Sequence, residues 1–142
     1  MDPEGRQKFE SFTELELDHN KTNTEGKQME SNELARKVVE ILEDNKAEDI
    51  VLMELGEKVE LADFFVIANG TSDRMIDALA NYVVDGVRDD CKIHGTIQGV
   101  TGGGWMLIDY GDVIVHIFSP DRRAYYSIED LYKESKVLLR VA

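Results

Sequence analysis

Trp105-Met-Leu-Ile-Asp-Tyr-Gly-Asp-Val-Ile-Val-His-Ile-Phe118 decides how this chain folds. Two apolar runs rich in β-branched and aromatic residues flank Gly111-Asp112, a strong signal for a tight β-hairpin. A two-residue loop sets Tyr110 opposite Val113, Ile108 opposite Val115 and Met106 opposite Ile117. Side chains alternate along a strand, so these six share one face, apolar apart from the tyrosine hydroxyl. The other face pairs Asp109 with Ile114, Leu107 with His116 and Trp105 with Phe118. A solvated face would be polar. This one is built either as a second core or as a docking surface.

Upstream of the hairpin, Ile50–Leu55 and Phe64–Ala68 are nearly continuous apolar runs, as expected of strands in the middle of a sheet. Between them and the hairpin, Ile76, Leu79, Ala80, Val83, Val84 and Val87 recur at helical spacing, and Thr71 or Ser72 can cap that helix. Gly86 lies inside it, at a cost of about 1 kcal/mol against alanine. An earlier helix runs from Ser31 or Asn32 to about Asp44 on the stripe Leu34, Val38, Ile41 and Leu42, with Asn45 as a left-handed stop. The glycine-rich stretch from Cys91 to Gly104 leaves Ile93, Ile97 and Val100 for brief strand contacts. Downstream, Pro120-Asp-Arg-Arg reads as a turn. Ser127 and Asp130 have near-capping-box spacing and open a last helix with Leu131 and Tyr132. The apolar end, Val137 to Ala142, has no assigned place.

The resulting order is α-β-β-α-β-β-α, an α+β class with a small mixed sheet. The helix before the third strand permits a parallel crossover, and the first two helices are expected on one face. The 142 residues, 42% hydrophobic and 32% charged, suit one domain. Residues 1–28 are polar and read as a disordered extension, residues 29–135 as the domain, and 136–142 as a tail. The N-terminal Asp2, Glu4 and Arg6 do not suit a signal peptide, and no apolar run is long enough to span a bilayer. A single cysteine, Cys91, forms no internal disulfide and points to a reducing, cytoplasmic setting; it reads as a small helix-end residue.

The net charge is −13. Residues 29–142 hold 22 acids and 12 bases, so −10 of it belongs to the domain. Nucleic-acid affinity comes from basic groups that displace counterions, so direct RNA or DNA binding is not expected. Acidity suits a basic protein partner, or solubility alone.

Catalytic chemistry finds little support in the residues. Gly99-Val-Thr-Gly-Gly-Gly104 precedes a strand, whereas phosphate loops open a helix; it reads as a flexible connection or a close backbone approach. Gly70-Thr-Ser72 is better placed but weak as an anion site. A two-metal site needs convergent carboxylates. The position two after Asp109 is Gly111, and Asp112 sits in the turn, so the pair is incomplete. His116 stands among apolar residues, as a hydrogen-bonded or interface histidine does, and no His/Cys cluster has metal-site spacing. Arg122, Arg123, Tyr125 and Tyr126 are either an interface group or a solvated turn.

Three blocks together closely resemble the Iojap family, the ribosome-silencing factor S family. They are Ala62-Asp-Phe-Phe-Val-Ile-Ala-Asn-Gly-Thr-Ser72, the hairpin Trp105–Phe118, and Arg123-Ala-Tyr-Tyr-Ser-Ile-Glu-Asp-Leu131. The resemblance runs from about Met29 to Glu134. It implies a nucleotidyltransferase-like α+β fold without demonstrated transferase chemistry, and no cofactor or metal is expected. It also implies binding to large-subunit ribosomal protein number fourteen, which would block subunit joining and repress translation under nutrient limitation. The motif positions fall on Trp105, Leu107, Asp109, Tyr110, Gly111, Asp112, Val115, His116 and Phe118. With Arg123 and Tyr126 added, the expected partner-binding residues are Trp105, Leu107, Asp109, Tyr110, Asp112, His116, Phe118, Arg123 and Tyr126. Tyr132 departs from the tryptophan often found there. A metal-dependent nucleotidyltransferase and a homodimer through the hairpin face are the alternatives.

Overall fold

The computed structural model describes residues 29–132 and 134–142; the extension assigned to 1–28 lies outside them. Among the described residues, three helices and six strands follow one another as α1 (Ser31–Asp44), β1 (Glu48–Glu54), β2 (Phe64–Asn69), α2 (Asp73–Cys91), β3 (Thr96–Gly99), β4 (Trp105–Asp109), β5 (Val113–Phe118), α3 (Pro120–Tyr126) and β6 (Lys136–Val141), with a 3-10 turn at Ile128–Asp130. The strands form one sheet in the order β3-β4-β5-β2-β1-β6. Only β2 and β5 pair in parallel, and the other neighbours are antiparallel. The class is α+β with a mixed sheet. Both central strands, β2 and β5, are buried along their whole length, as their unbroken apolar runs require.

The hairpin has the expected register. Met106 faces Ile117, Ile108 faces Val115 and Trp105 faces Phe118, and the Tyr110 amide donates to Val113 across the turn (2.9 Å). The Met106 face packs beneath α1 and α2, in a core that includes Leu34, Leu42, Leu79, Val83, Ile108 and Val115. Both helices thus lie on one side of the sheet. Gly86 explains itself at their crossing: a Cβ there would stand 2.8 Å from Ile41 Cδ1. The close helix approach offsets its poor helix propensity. Ser72 caps α2 by accepting from the Met75 amide (3.1 Å). At the end of α1 the left-handed residue is Lys46, with φ +67°, rather than Asn45. Asn45 serves through its side chain instead, donating to the Ile41 carbonyl (2.8 Å).

Three sequence expectations need correction. Residues 136–142 are not a free tail: β6 pairs along β1, Lys136 to Glu54 through Val141 to Ile50. Of the brief strand contacts foreseen at Ile93, Ile97 and Val100, those at Ile97 form, in the four-residue strand β3 beside β4, while Ile93 and Val100 lie outside it. The last helix starts at Pro120, where a turn was expected. Ser119 caps it by accepting from the Arg122 amide (3.3 Å), and Pro120 fills the first turn, where a missing N–H costs nothing. Ser127 ends this helix, with φ +49°, and its hydroxyl donates to Asp130 (2.6 Å).

Candidate functional site

The second face of the hairpin is covered, but unevenly. Leu107, Ile114 and Phe118 join Val51, Met53, Phe65 and Ile67 in a second core, closed by Leu55, Ala62 and Ile128. The cover consists of the loop after β1, the 3-10 turn and the short helix α3, which buries no residue of its own. Trp105 and Tyr126 stay half-buried at the rim.

Aromatic rings run through this core to the rim. Tyr132 meets Phe65 edge-on (5.6 Å between centroids), and Phe65 meets His116 edge-on (4.6 Å). Trp105 forms a three-ring cluster with Phe118 (5.1 Å) and Tyr126 (4.8 Å), which are 6.2 Å from each other. Its indole N–H donates to Nδ1 of His116 (3.2 Å). His116 is fully buried, and burial pushes its pKa down to about 3, so the imidazole is neutral. With Nδ1 accepting, the ring proton sits on Nε2.

Beside Trp105 opens a groove of about 230 Å³, lined by Gln98, Gly99, Val100, Gly103, Trp105, Leu107 and Tyr126. Its outer wall is the loop between β3 and β4. Gly104 lets that loop return to the sheet: it has φ +77°, and a Cβ would lie 2.8 Å from Arg122 Cγ and 3.0 Å from Ser119 Oγ. The glycines thus make a close backbone approach, one of the two readings their sequence allowed. The loop also lifts Val100 into solvent, 75% exposed, whereas Ile97, opposite Ile108, belongs to the helix-covered face of the sheet.

The expected partner-binding residues therefore separate. Trp105 and Tyr126 border the groove and Leu107 forms part of its lining, almost wholly buried. Phe118 and His116 lie beneath, with no exposed surface. Asp109 is 2% exposed; its carboxylate accepts from the Gly111 amide (2.7 Å) and locks the turn. Tyr110 points into the other core, where burial raises its phenol pKa. Asp112 stands at the far end of the hairpin, where its carbonyl accepts the Asp63 (2.8 Å) and Phe64 (3.0 Å) amides. Arg123 is a clamp. It pairs with Glu129 (2.7 Å) and donates to the Asp49 carbonyl (2.5 Å) and to Asn69 Oδ1 (3.0 Å). Gln98, Gly99, Val100 and Gly103 were not among the expected site residues. An apolar valine inside a glycine-rich loop was the one available sign. Among the described residues, no three His, Cys, Asp or Glu side chains are grouped to hold a metal ion, and no helix is long and apolar enough to cross a membrane.

The sequence model of the family described as "Ribosomal silencing factor during starvation" matches residues 28–141. The chain belongs to this ribosomal silencing factor family. The match includes β6, so the last strand is part of the family domain. A ribosomal silencing factor of Halalkalibacterium halodurans is 34% identical, covering 75% of this chain and 92% of its own. A crystal structure of a protein from Chromobacterium violaceum superposes with a TM-score of 0.70 at 34% identity, over 80% of this chain and 95% of that one. The mouse protein named "Mitochondrial assembly of ribosomal large subunit protein 1" is 29% identical over 67% of this chain and 43% of its own length. Membership in this family gives the chain a role in ribosome silencing and translation regulation.

Proposed function

We propose that this ribosomal silencing factor docks through the groove around Trp105 onto large-subunit ribosomal protein number fourteen. There it would block the joining of the ribosomal subunits and repress translation in the cytoplasm when nutrients are scarce. The observation that carries this reading is the half-buried Trp105–Tyr126 pair beside exposed Val100. Aromatic anchors next to a shallow apolar groove are what a protein partner engages. The net charge of −13 favours a basic protein over the phosphate backbone of RNA. The fold is read as nucleotidyltransferase-like with the chemistry unused: Asp109, the acid such a site would need, is committed to the hairpin turn.

Co-sedimentation with isolated large subunits tests the proposal. Trp105→Ala and Val100→Asp should each weaken binding by about thirtyfold or more, the effect of losing an interface hot spot, while circular dichroism remains native. Unchanged binding by folded variants would sink the docking site. Exposed Val100 would serve a second copy equally well. Light scattering over a concentration series separates that reading, and a strict monomer excludes it.

A further inference from the structure

We propose that His116 is a positioning residue, which fixes the docking tryptophan from inside the core and never meets the partner. The inference rests on the reading of Trp105 as the docking anchor. On the outer face of the hairpin, Trp105 is directly opposite Phe118 and diagonal to His116, within reach of a long side chain. Phe118 stacks on the indole at 5.1 Å, and Tyr126 meets it at a tilt of 44°, at 4.8 Å. Stacking restrains the plane of a ring and says little about which edge points outward. The N–H on Nε1 is the indole's only donor, and its bond to His116 Nδ1 (3.2 Å) makes that choice. Turning the indole over would carry the donor away from Nδ1 and present the opposite edge to the groove.

His116 is itself held. It faces Leu107 across the hairpin and Ile67 on β2, and the edge of Phe65 packs against it at 4.6 Å. A leucine or phenylalanine would fill this space without the cost of burying an imidazole. What the imidazole adds is an acceptor at the Nδ1 position. Asparagine places an amide oxygen close to where Nδ1 stands, whereas phenylalanine offers no acceptor, so the two variants separate hydrogen bonding from packing.

Trp105 is the only tryptophan, so a ¹⁵N-labelled sample gives one indole N–H resonance. In the native protein that proton should exchange with solvent at least about tenfold more slowly than a free indole, the protection of one hydrogen bond. His116→Phe should abolish the protection and weaken large-subunit binding by about tenfold, and His116→Asn should restore most of both. An indole N–H in the wild-type protein that exchanges like a free indole overturns the assignment, even if His116→Phe fails to fold. Equal binding by folded His116→Phe and wild type also overturns it. Full binding by Trp105→Ala overturns the docking reading instead, whatever the indole signal shows.

Discussion

The two faces of the sheet are closed in different ways. On one side, α1 and α2, of 14 and 19 residues, lay continuous apolar stripes over aliphatic side chains. On the other, a seven-residue helix, a 3-10 turn and a loop cover a core rich in aromatic rings. Long amphipathic helices bury a face completely. Short elements cannot, and what they leave at the rim, Trp105 and Tyr126, is also where the groove lies. The first face serves stability, and the second divides its residues between stability and the proposed docking groove.

The largest effect expected from this contrast is in the helical core. Leu79, on the buried face of α2, is 1% exposed, and Leu79→Ala should lower unfolding free energy by about 2–5 kcal/mol through lost burial and the cavity left behind. Urea titration measures that loss. The folded fraction should still bind large subunits normally, because the groove lies across the sheet. A parallel loss of binding would break the division between the faces.

A smaller effect is expected at Arg123, which ties α3 to the 3-10 turn through Glu129 and to the ends of β1 and β2 through the Asp49 carbonyl and Asn69. Arg123→Ala removes these bonds and leaves Asn69 and Glu129 short of a partner. The expected cost is about 1–3 kcal/mol, less than for a fully buried pair because Glu129 retains solvent contact. Hydrogen exchange should rise in α3 and the 3-10 turn while the amides of α1 and α2 stay protected. Faster exchange across both sides would mean that the cores do not respond separately.

The scaffold was legible in the sequence where patterns are local. Alternation fixed the register of β4 and β5, and helical spacing revealed the stripe of α2. Strand β6 was not legible because its partner, β1, is distant in the chain. The start of α3 was written in Ser119-Pro120, yet those residues also suit a turn. The site was less visible. Trp105, Leu107, Asp109, His116 and Phe118 alternate onto one face, and sequence reads that face as a unit. Which members remain exposed depends on cover from Leu55, Ala62, Tyr126 and Ile128, segments that sequence could not place over it. Hence His116 and Asp109 look like contact residues in one dimension and are interior in three.

The smallest expected effect is a pH dependence carried by His116, which sharpens the contrast because no buried histidine lies in the helical core. Its folded pKa is lowered to about 3 by burial, from about 6.5 in the unfolded chain. Between those values the unfolded state binds more protons, so stability falls as pH falls. The contribution is complete above about pH 6.5, and acidification from about pH 7.5 to 5.5 should remove about 1.4 kcal/mol. Ordinary carboxylates change little in that window. Phe65, Trp105 and Phe118, which pack on the imidazole, carry no charge to compensate a proton. A protonated Nδ1 could not accept the indole N–H, so Trp105 fluorescence should change with the same midpoint as unfolding. Denaturant titrations of wild type and His116→Asn at both pH values measure the difference. The variant should lose the histidine's share of the slope, and equal slopes would show that the buried imidazole does not govern stability here.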